Sequence, residues 1–196
     1  MSFADSREEV VFYVPLWKRN GIEIIDFYNY WRDVHGPVCA RLPGQMEYWQ
    51  YHVSAYEGGI FPELNGINVN SNPEDQFLGI AELTFSNAED RATWFEASAI
   101  LMDDEHNIFS KAIGYTTSPG NTKTVKSEIS EVYPNGSLSE IRYHVMVRKN
   151  DEIGIEEFRV YMRNVLMPAI AERSEVVQLR YHLFDAIDLS RPDAQG

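Results

Sequence analysis

The 196-residue sequence is poor in cysteine, in basic residues and in long apolar runs. Cys39 is its single cysteine, so no intrachain disulfide can form and no cysteine cage can hold zinc. Lys and Arg number 17 against 30 Asp and Glu, and the net charge of −13 argues against nucleic acid and membrane surfaces as partners. No apolar run approaches the ~20 residues of a membrane span. The polar first ten residues do not resemble a signal peptide, so we expect a cytoplasmic protein.

Motifs for nucleotides and metals are missing as well. The sequence has no GxGxxG or Walker phosphate loop, no GxSxG elbow and no HExxH. His35 and Cys39 are one helical turn apart, but no motif supplies a third and fourth metal ligand. We therefore expect no cofactor, although a lone haem ligand at His35 stays open as an alternative.

What the sequence does contain is an alternation of strand and helix patterns. Runs of β-branched and aromatic residues predict four strands, at residues 10–17, 46–53, 77–85 and 122–132. Pro15 lacks a ladder donor, which predicts an edge or a bulge in the first strand. The four-residue spacing of Phe27, Trp31, His35 and Cys39 predicts a helix, which Pro37 kinks or breaks. The order β-α-β-β-α-β predicts an α+β, ferredoxin-like fold.

The pattern then restarts. Residues 27–34 align with 158–165 at an offset of 131, and Pro37 falls on Pro168; Tyr51-His52 falls on Tyr181-His182 at an offset of 130. We predict a tandem repeat with units at residues 1–136 and 137–196, the second an incomplete copy. Either the sequence is truncated or another chain completes the second copy, and we expect truncation. A homodimer, in which two chains build the barrel, is also open.

Four motifs of the first copy resemble the EthD domain of the dimeric α+β barrel superfamily. They span about residues 9–115. The first motif is Phe27-x3-Trp31-x3-His35-Gly36-Pro37 followed by Leu42-Pro43-Gly44, and the second is Tyr48-x-Gln50-x-His52-Val53. The third is Gly79-Ile80-Ala81-Glu82-Leu83-x-Phe85, and the fourth is Asp104-Glu105-x-Asn107-x-Phe109. The second copy matches only in outline, because Met162 replaces the Trp and Leu166 replaces the His. The resemblance implies that two ferredoxin-like units pack sheet against sheet, which a tandem repeat can do within one chain. It also implies chemistry on small molecules without fixing the reaction.

Histidines and tyrosines are the candidate catalytic residues. His35 precedes Gly36-Pro37, where a ring nitrogen could reach a cavity; the alternative is a histidine that caps a broken helix. Strand alternation puts Tyr48, Gln50 and His52 on one face, which lines the barrel if the opposite Trp49 face meets the helices. The alternative for these three is a set of satisfied polar groups in a wet interior. Trp31 is predicted to be core or to bind substrate.

The second copy offers a basic cluster. Arg142 and His144 share a face of its predicted first strand, and Arg180 and His182 share a face of the next. A guanidinium could hold a carboxylate or phenolate. Pairing with the excess acidic residues is the alternative.

Together with the EthD resemblance, these residues predict an enzyme that acts without a cofactor on a hydrophobic aromatic or polyketide-like molecule. The step would be a proton transfer in a cyclisation, dehydration or isomerisation, with His35 or His52 as acid or base and with Tyr48 and Gln50 orienting a substrate oxygen. Two alternatives remain: a binding or accessory protein without turnover, and a cofactor-free oxygenase.

Overall fold

The computed structural model describes residues 8–54, 76–129 and 140–187. These residues form two compact units, the first made of residues up to 119 together with those from 184 onward, and the second made of Gly120–Leu183. The predicted boundary between residues 136 and 137 lies outside the described residues.

The first unit alternates strands and helices in the predicted order. Its elements are β1 (Val10–Lys18), α1 (Ile24–Tyr30), a π-helical turn (Trp31–His35), α2 (Gly36–Cys39), β2 (Gln45–His52), β3 (Gly79–Phe85), α3 (Ala88–Ala97), α4 (Ala99–Ile108), β4 (Phe109–Ala112) and β5 (Tyr115–Thr116). The sheet has the order β2-β3-β1-β4, with β5 also beside β1, and every neighbouring pair is antiparallel. This is the strand order of a ferredoxin-like unit, so the predicted α+β fold class is confirmed.

Two details of the first sheet differ from prediction. The fourth strand is β4 with β5, because the segment predicted for that role instead forms β6 (Thr122–Ser127) in the second unit. Pro15 lies in the central strand rather than at an edge. Its carbonyl accepts from the Ile113 N–H at 3.3 Å, in the gap between β4 and β5, so its missing donor falls where the ladder is already interrupted.

The main core lies between this sheet and its helices. Val14, Leu16 and Leu83 point from the strands to meet Phe27 and Trp31, and all five side chains are buried. Alternation along the same strands places Val11, Tyr13 and Ile80 in a separate cluster on the opposite face. The sheet face that carries Val14, Leu16 and Leu83 is therefore the face against which the first helix packs.

The π-helical turn explains how the first helix continues past Pro37. The Gly36 N–H donates to the Trp31 carbonyl, five residues earlier, and helix then resumes through Cys39. The wider turn accommodates a residue without an N–H, and π-turns of this kind are frequent at functional sites. The predicted break at Gly36-Pro37 is therefore a π-turn in a continuous helix.

The second unit repeats this helix. Its described elements are β6, α5 (Ile155–Tyr161), a π-helical turn (Met162–Leu166), α6 (Met167–Ala171) and β7 (Gln178–His182), and β6 pairs antiparallel with β7. Met162, Met167, Tyr181 and Leu183 form its core. The α-helix α5 and the π-turn of this unit begin and end 131 residues after α1 and the π-turn of the first unit. That the two units arose by duplication remains a prediction.

One predicted strand of the second unit does not form. Residues 141–149 belong to no helix or strand among the described parts of the chain. The expectation that Arg142 and His144 share a face of a strand is therefore wrong for this structure. Within the described ranges, no helix combines the length and the apolar character needed to cross a membrane.

Candidate functional site

His35 and Asp104 form a hydrogen-bonded pair beside the π-helical turn. His35 ends that turn, Asp104 lies on α4, and Nδ1 of the imidazole is 2.8 Å from Oδ2 of the carboxylate. The His35 side chain is 6% exposed and that of Asp104 is 27% exposed. An ionised carboxylate only accepts hydrogen bonds, so the contact places a proton on Nδ1. Nε2 is then the ring nitrogen that can exchange a proton with a substrate.

Tyr30 holds the other oxygen of the same carboxylate. Its hydroxyl donates to Oδ1 of Asp104 at 2.5 Å, and the Asn107 amide lies 3.4 Å from that oxygen. Partial burial would raise the pKa of Asp104, but hydrogen bonds from Tyr30, His35 and Asn107 outweigh burial and lower it below 3.8. Asp104 is therefore a fixed negative charge at neutral pH.

The neighbouring carboxyl, Glu105, behaves in the opposite way. Burial raises the pKa of Glu105 above its ordinary 4.5, although the nearby His35 and His106 partly offset this effect. Cys39 lies near as well, and burial raises the pKa of its thiol to about 12. Cys39 therefore stays protonated and contributes as a small buried apolar group.

Tyr48 and Gln50 pack against the first helix rather than lining a barrel. The Gln50 amide donates to the Trp31 carbonyl at 3.0 Å and to the Tyr48 hydroxyl at 3.0 Å. Tyr48 and Trp31 both belong to the core between the sheet and the helices, and burial raises the pKa of Tyr48 strongly. A barrel-lining role would require the opposite face of β2, which carries Trp49, to meet the helices. The Tyr48 face meets them instead. Gln50 instead supports the π-turn that ends at His35.

His52 lies at the end of β2, stacked on two aromatic rings. Its ring centroid is 4.6 Å from that of Tyr28, with an interplanar angle of 8°, and 5.2 Å from that of Trp31. Burial, with a smaller effect from Arg32, lowers the pKa of His52 below 6.5. The structure thus places His52, Tyr48 and Gln50 on one face, as the alternation predicts, with His52 at its exposed end.

The candidate residues of the second unit make local contacts. Arg142 donates to the Gln178 side chain at 3.2 Å, and Nδ1 of His182 lies 2.6 Å from the Thr122 hydroxyl. His144 is half-buried outside any regular element, and Arg180 lies in β7. Leu166 occupies the position that corresponds to His35, so the histidine–carboxylate pair has no equivalent there.

Asp104 and Tyr30 are the functional candidates that the sequence analysis missed. The sequence analysis named Asp104 only within a motif of the family resemblance, and it did not single out Tyr30. The signal was present in the motif Asp104-Glu105-x-Asn107-x-Phe109. Its spacing puts Asp104 and Asn107 one helical turn apart, on the side of α4 that meets Tyr30.

Comparison with known proteins identifies the class. Residues 19–112 of the chain match the EthD domain family. Similar solved structures include an EthD-like protein from Ralstonia eutropha, 16% identical, with 57% of this chain and 91% of that chain covered and a TM-score of 0.40. The hydroxynitrile lyase from Passiflora edulis is 14% identical, with 65% of this chain and 99% of that chain covered and a TM-score of 0.32. No curated protein sequence matches this chain.

The match to the EthD domain is consistent with an α+β fold of the dimeric α+β barrel type. At the level of the family, it supports a protein that acts on or binds a small molecule. The specific reaction is a separate question, which the geometry of His35 and its neighbours addresses.

Proposed function

We propose that the protein is an enzyme that moves a proton on a hydrophobic aromatic or polyketide-like molecule, without a cofactor, in a cyclisation, dehydration or isomerisation. The observation that supports this proposal is the chain of contacts from Tyr30 through Asp104 to Nδ1 of His35. In this proposal Nε2 of His35 takes the proton from the substrate.

The pair suits a general base for an electrostatic reason. When Nε2 accepts a proton the imidazole becomes a cation, and the Asp104 carboxylate 2.8 Å from Nδ1 stabilises that charge. Tyr30 keeps the carboxylate oriented and ionised. Low exposure of the imidazole reduces competition from water for the same proton.

The surroundings of the imidazole favour an apolar substrate. The rings of Phe109 and His35 are nearly perpendicular at a centroid distance of 5.5 Å, and Trp31 lies on the same helical face as His35, one turn earlier. Tyr48 and Gln50 hydrogen bond to each other, so orienting a substrate oxygen would require one of them to exchange partners.

The test uses a small aromatic ketone in D₂O as a surrogate carbon acid. Proton NMR follows the loss of its α-proton signal with and without protein. We expect the protein to accelerate exchange, His35→Ala to lower the enzymatic rate roughly 10²–10⁴-fold, and Asp104→Asn to lower it roughly 10–10²-fold. His106→Ala is the matched control, because it removes an exposed histidine from α4, the helix that carries Asp104.

Outcomes separate the proposal from its alternatives. Exchange that survives His35→Ala would exclude His35 as the base. Ketone-induced chemical-shift changes without exchange would favour the binding or accessory protein. Consumption of dissolved oxygen with an electron-rich phenol would favour the oxygenase instead.

A further inference from the structure

Glu105 lies on the face of α4 that packs into the main core. It follows Leu101 by four residues and precedes Ile108 by three, and both of those side chains are buried in that core. Residues at these spacings share one face of a helix. The carboxyl of Glu105 is therefore partly buried on the face of α4 that also carries Asp104.

The surroundings of the Glu105 carboxyl differ from those of the Asp104 carboxylate. Three side chains hydrogen bond to Asp104. Among the described residues, no group donates a hydrogen bond to the carboxyl of Glu105, and this carboxyl belongs to no ion pair. A partly buried carboxyl without a donor is costly to ionise, and it keeps its hydrogen-bonding capacity for a ligand.

Four titratable groups act on Glu105, namely His35 of the π-turn, Cys39 of α2, and Asp104 and His106 of α4. Burial is the largest effect and raises the pKa of Glu105 above its ordinary 4.5. The two histidines partly offset this rise, and Asp104 adds to it. The carboxyl thus keeps its proton to a higher pH than an exposed glutamate does, and the protonated form is a hydrogen-bond donor.

A proton transfer of the kind proposed above needs such a donor. When a base removes the proton next to a ketone, negative charge develops on the ketone oxygen, and an acid that protonates this oxygen lowers the barrier. Tyr48 and Gln50 are engaged elsewhere, because the Gln50 amide donates both to the Tyr48 hydroxyl and to the Trp31 carbonyl. Glu105 can serve without an exchange of partners.

We propose that Glu105 is the general acid of this site and gives its proton to the substrate oxygen while Nε2 of His35 takes a proton from the adjacent carbon. This inference rests on the proposed function. The C–H bond breaks, its electron pair forms a carbon–carbon double bond, and the carbonyl π pair moves to oxygen, which takes the proton from Glu105. The products are an enol, a Glu105 carboxylate and an imidazolium at His35.

Return of the two protons completes the reaction without a co-reactant. The enol oxygen gives its proton back to the Glu105 carboxylate, and the imidazolium of His35 protonates carbon. Protonation at the original carbon gives exchange with solvent, and protonation at the far end of a conjugated system gives an isomer. Both protein groups then regain their starting states.

The dependence of α-proton exchange on pD tests this role, with the small aromatic ketone in D₂O and Glu105→Gln as the variant. Gln has nearly the shape of Glu but releases no proton, so exchange should fall roughly 10–10²-fold at about pD 5.5. The ratio of the original rate to the variant rate should shrink to within about threefold at about pD 8.5, where the original carboxyl is ionised. A merely structural role would give the same ratio at every pD.

Asp103→Asn is the matched control, because it removes an exposed carboxylate from the same helix, α4. Its exchange rate should stay within about twofold of the original. Circular dichroism of each variant confirms that the fold is retained.

Carbon-13 NMR of the side-chain carboxyls gives a measurement that does not depend on turnover. The Glu105 signal is the one that is missing from Glu105→Gln. In the original protein this signal should titrate with a pKa above 4.5, over the pD range in which the ratio of exchange rates declines.

The outcomes separate this inference from the proposed function. Exchange that is lost in His35→Ala but unchanged in Glu105→Gln would overturn the role of Glu105 and leave the proposed function standing. A ratio of rates that does not vary with pD, or a Glu105 signal with a pKa at or below 4.5, would also overturn that role. Absence of exchange in the original protein would overturn both.

Discussion

At the scale of single residues, the two adjacent carboxyl groups near His35 have pKa values shifted in opposite directions. Asp104 is kept ionised by its hydrogen bonds, and Glu105 beside it is pushed towards the protonated form by burial. Adjacent carboxyls with opposite pKa shifts are common where proton transfer occurs. His52 differs from His35 because aromatic rings, not a carboxylate, surround it.

His52 makes the stability of the protein depend on pH. Burial and Arg32 lower its pKa below 6.5, so the unfolded chain takes up the proton first as the pH falls. The contribution of the neutral, stacked ring is therefore full above pH 6.5 and is lost as the pH falls through that value towards the folded pKa.

His52→Phe keeps a stacked ring and removes the titration. Between pH 7.5 and 5.5, urea unfolding should show the original protein losing more stability than this variant, by less than about 1 kcal/mol because solvent screens the partly exposed ring. An identical pH dependence in the two proteins would show that His52 does not couple to folding.

At the scale of elements, the π-helical turn sets the direction of His35. The turn is held at Trp31, whose carbonyl accepts from the Gly36 N–H and from the Gln50 amide of β2. A Cβ added at Gly36 would lie 2.1 Å from Nε2 of Gln50 and 2.8 Å from the Trp31 carbonyl oxygen. The glycine is therefore needed for the close approach of helix and strand.

Gly36→Ala should destabilise the first unit by about 1–3 kcal/mol, because the Gln50 amide and the helix backbone must both move. Thermal or urea unfolding measures the loss. Gly154→Ala is the control, since a Cβ there meets no atom within 4 Å and its backbone has an ordinary φ of −63°. Equal stability of the two variants would contradict the role assigned to Gly36.

The elements also show what the sequence could predict. The first three strands and the first helix followed from local patterns, because apolar periodicity fixes which face each element buries. The fourth strand did not, since the segment predicted for it forms β6 of the second unit. The π-turn did not follow, since Gly36-Pro37 looks like a helix break until the widened turn and the Gln50 contact are seen. Asp104 was missed because its partner, His35, is 69 residues away and only the packing of α4 brings the two together.

At the scale of the whole molecule, the two described units have separate cores, and the two predicted repeats carry unequal charge. Residues 137–196 contain 8 basic and 10 acidic residues, a net charge of −2. The total of −13 therefore leaves −11 for residues 1–136. Repulsion among like charges opposes the compact state, and it acts mainly in the first part of the chain.

Screening of the excess negative charge by salt should therefore stabilise the protein. Raising sodium chloride from about 0.02 M to about 0.3 M shortens the range of charge repulsion and should raise the melting temperature by about 2–4 °C. Differential scanning calorimetry at the two salt concentrations provides the measurement. A melting temperature that falls with salt would mean that attractive ion pairs, not net repulsion, dominate.

The contact between Gln50 and the Trp31 carbonyl has a consequence for what holds the site together. The side chain that makes this contact belongs to β2 and not to the helix itself. Packing of β2 therefore adds a hydrogen bond at the Trp31 carbonyl that the isolated helix does not have. The orientation of His35 thus depends on tertiary packing as well as on the local helix.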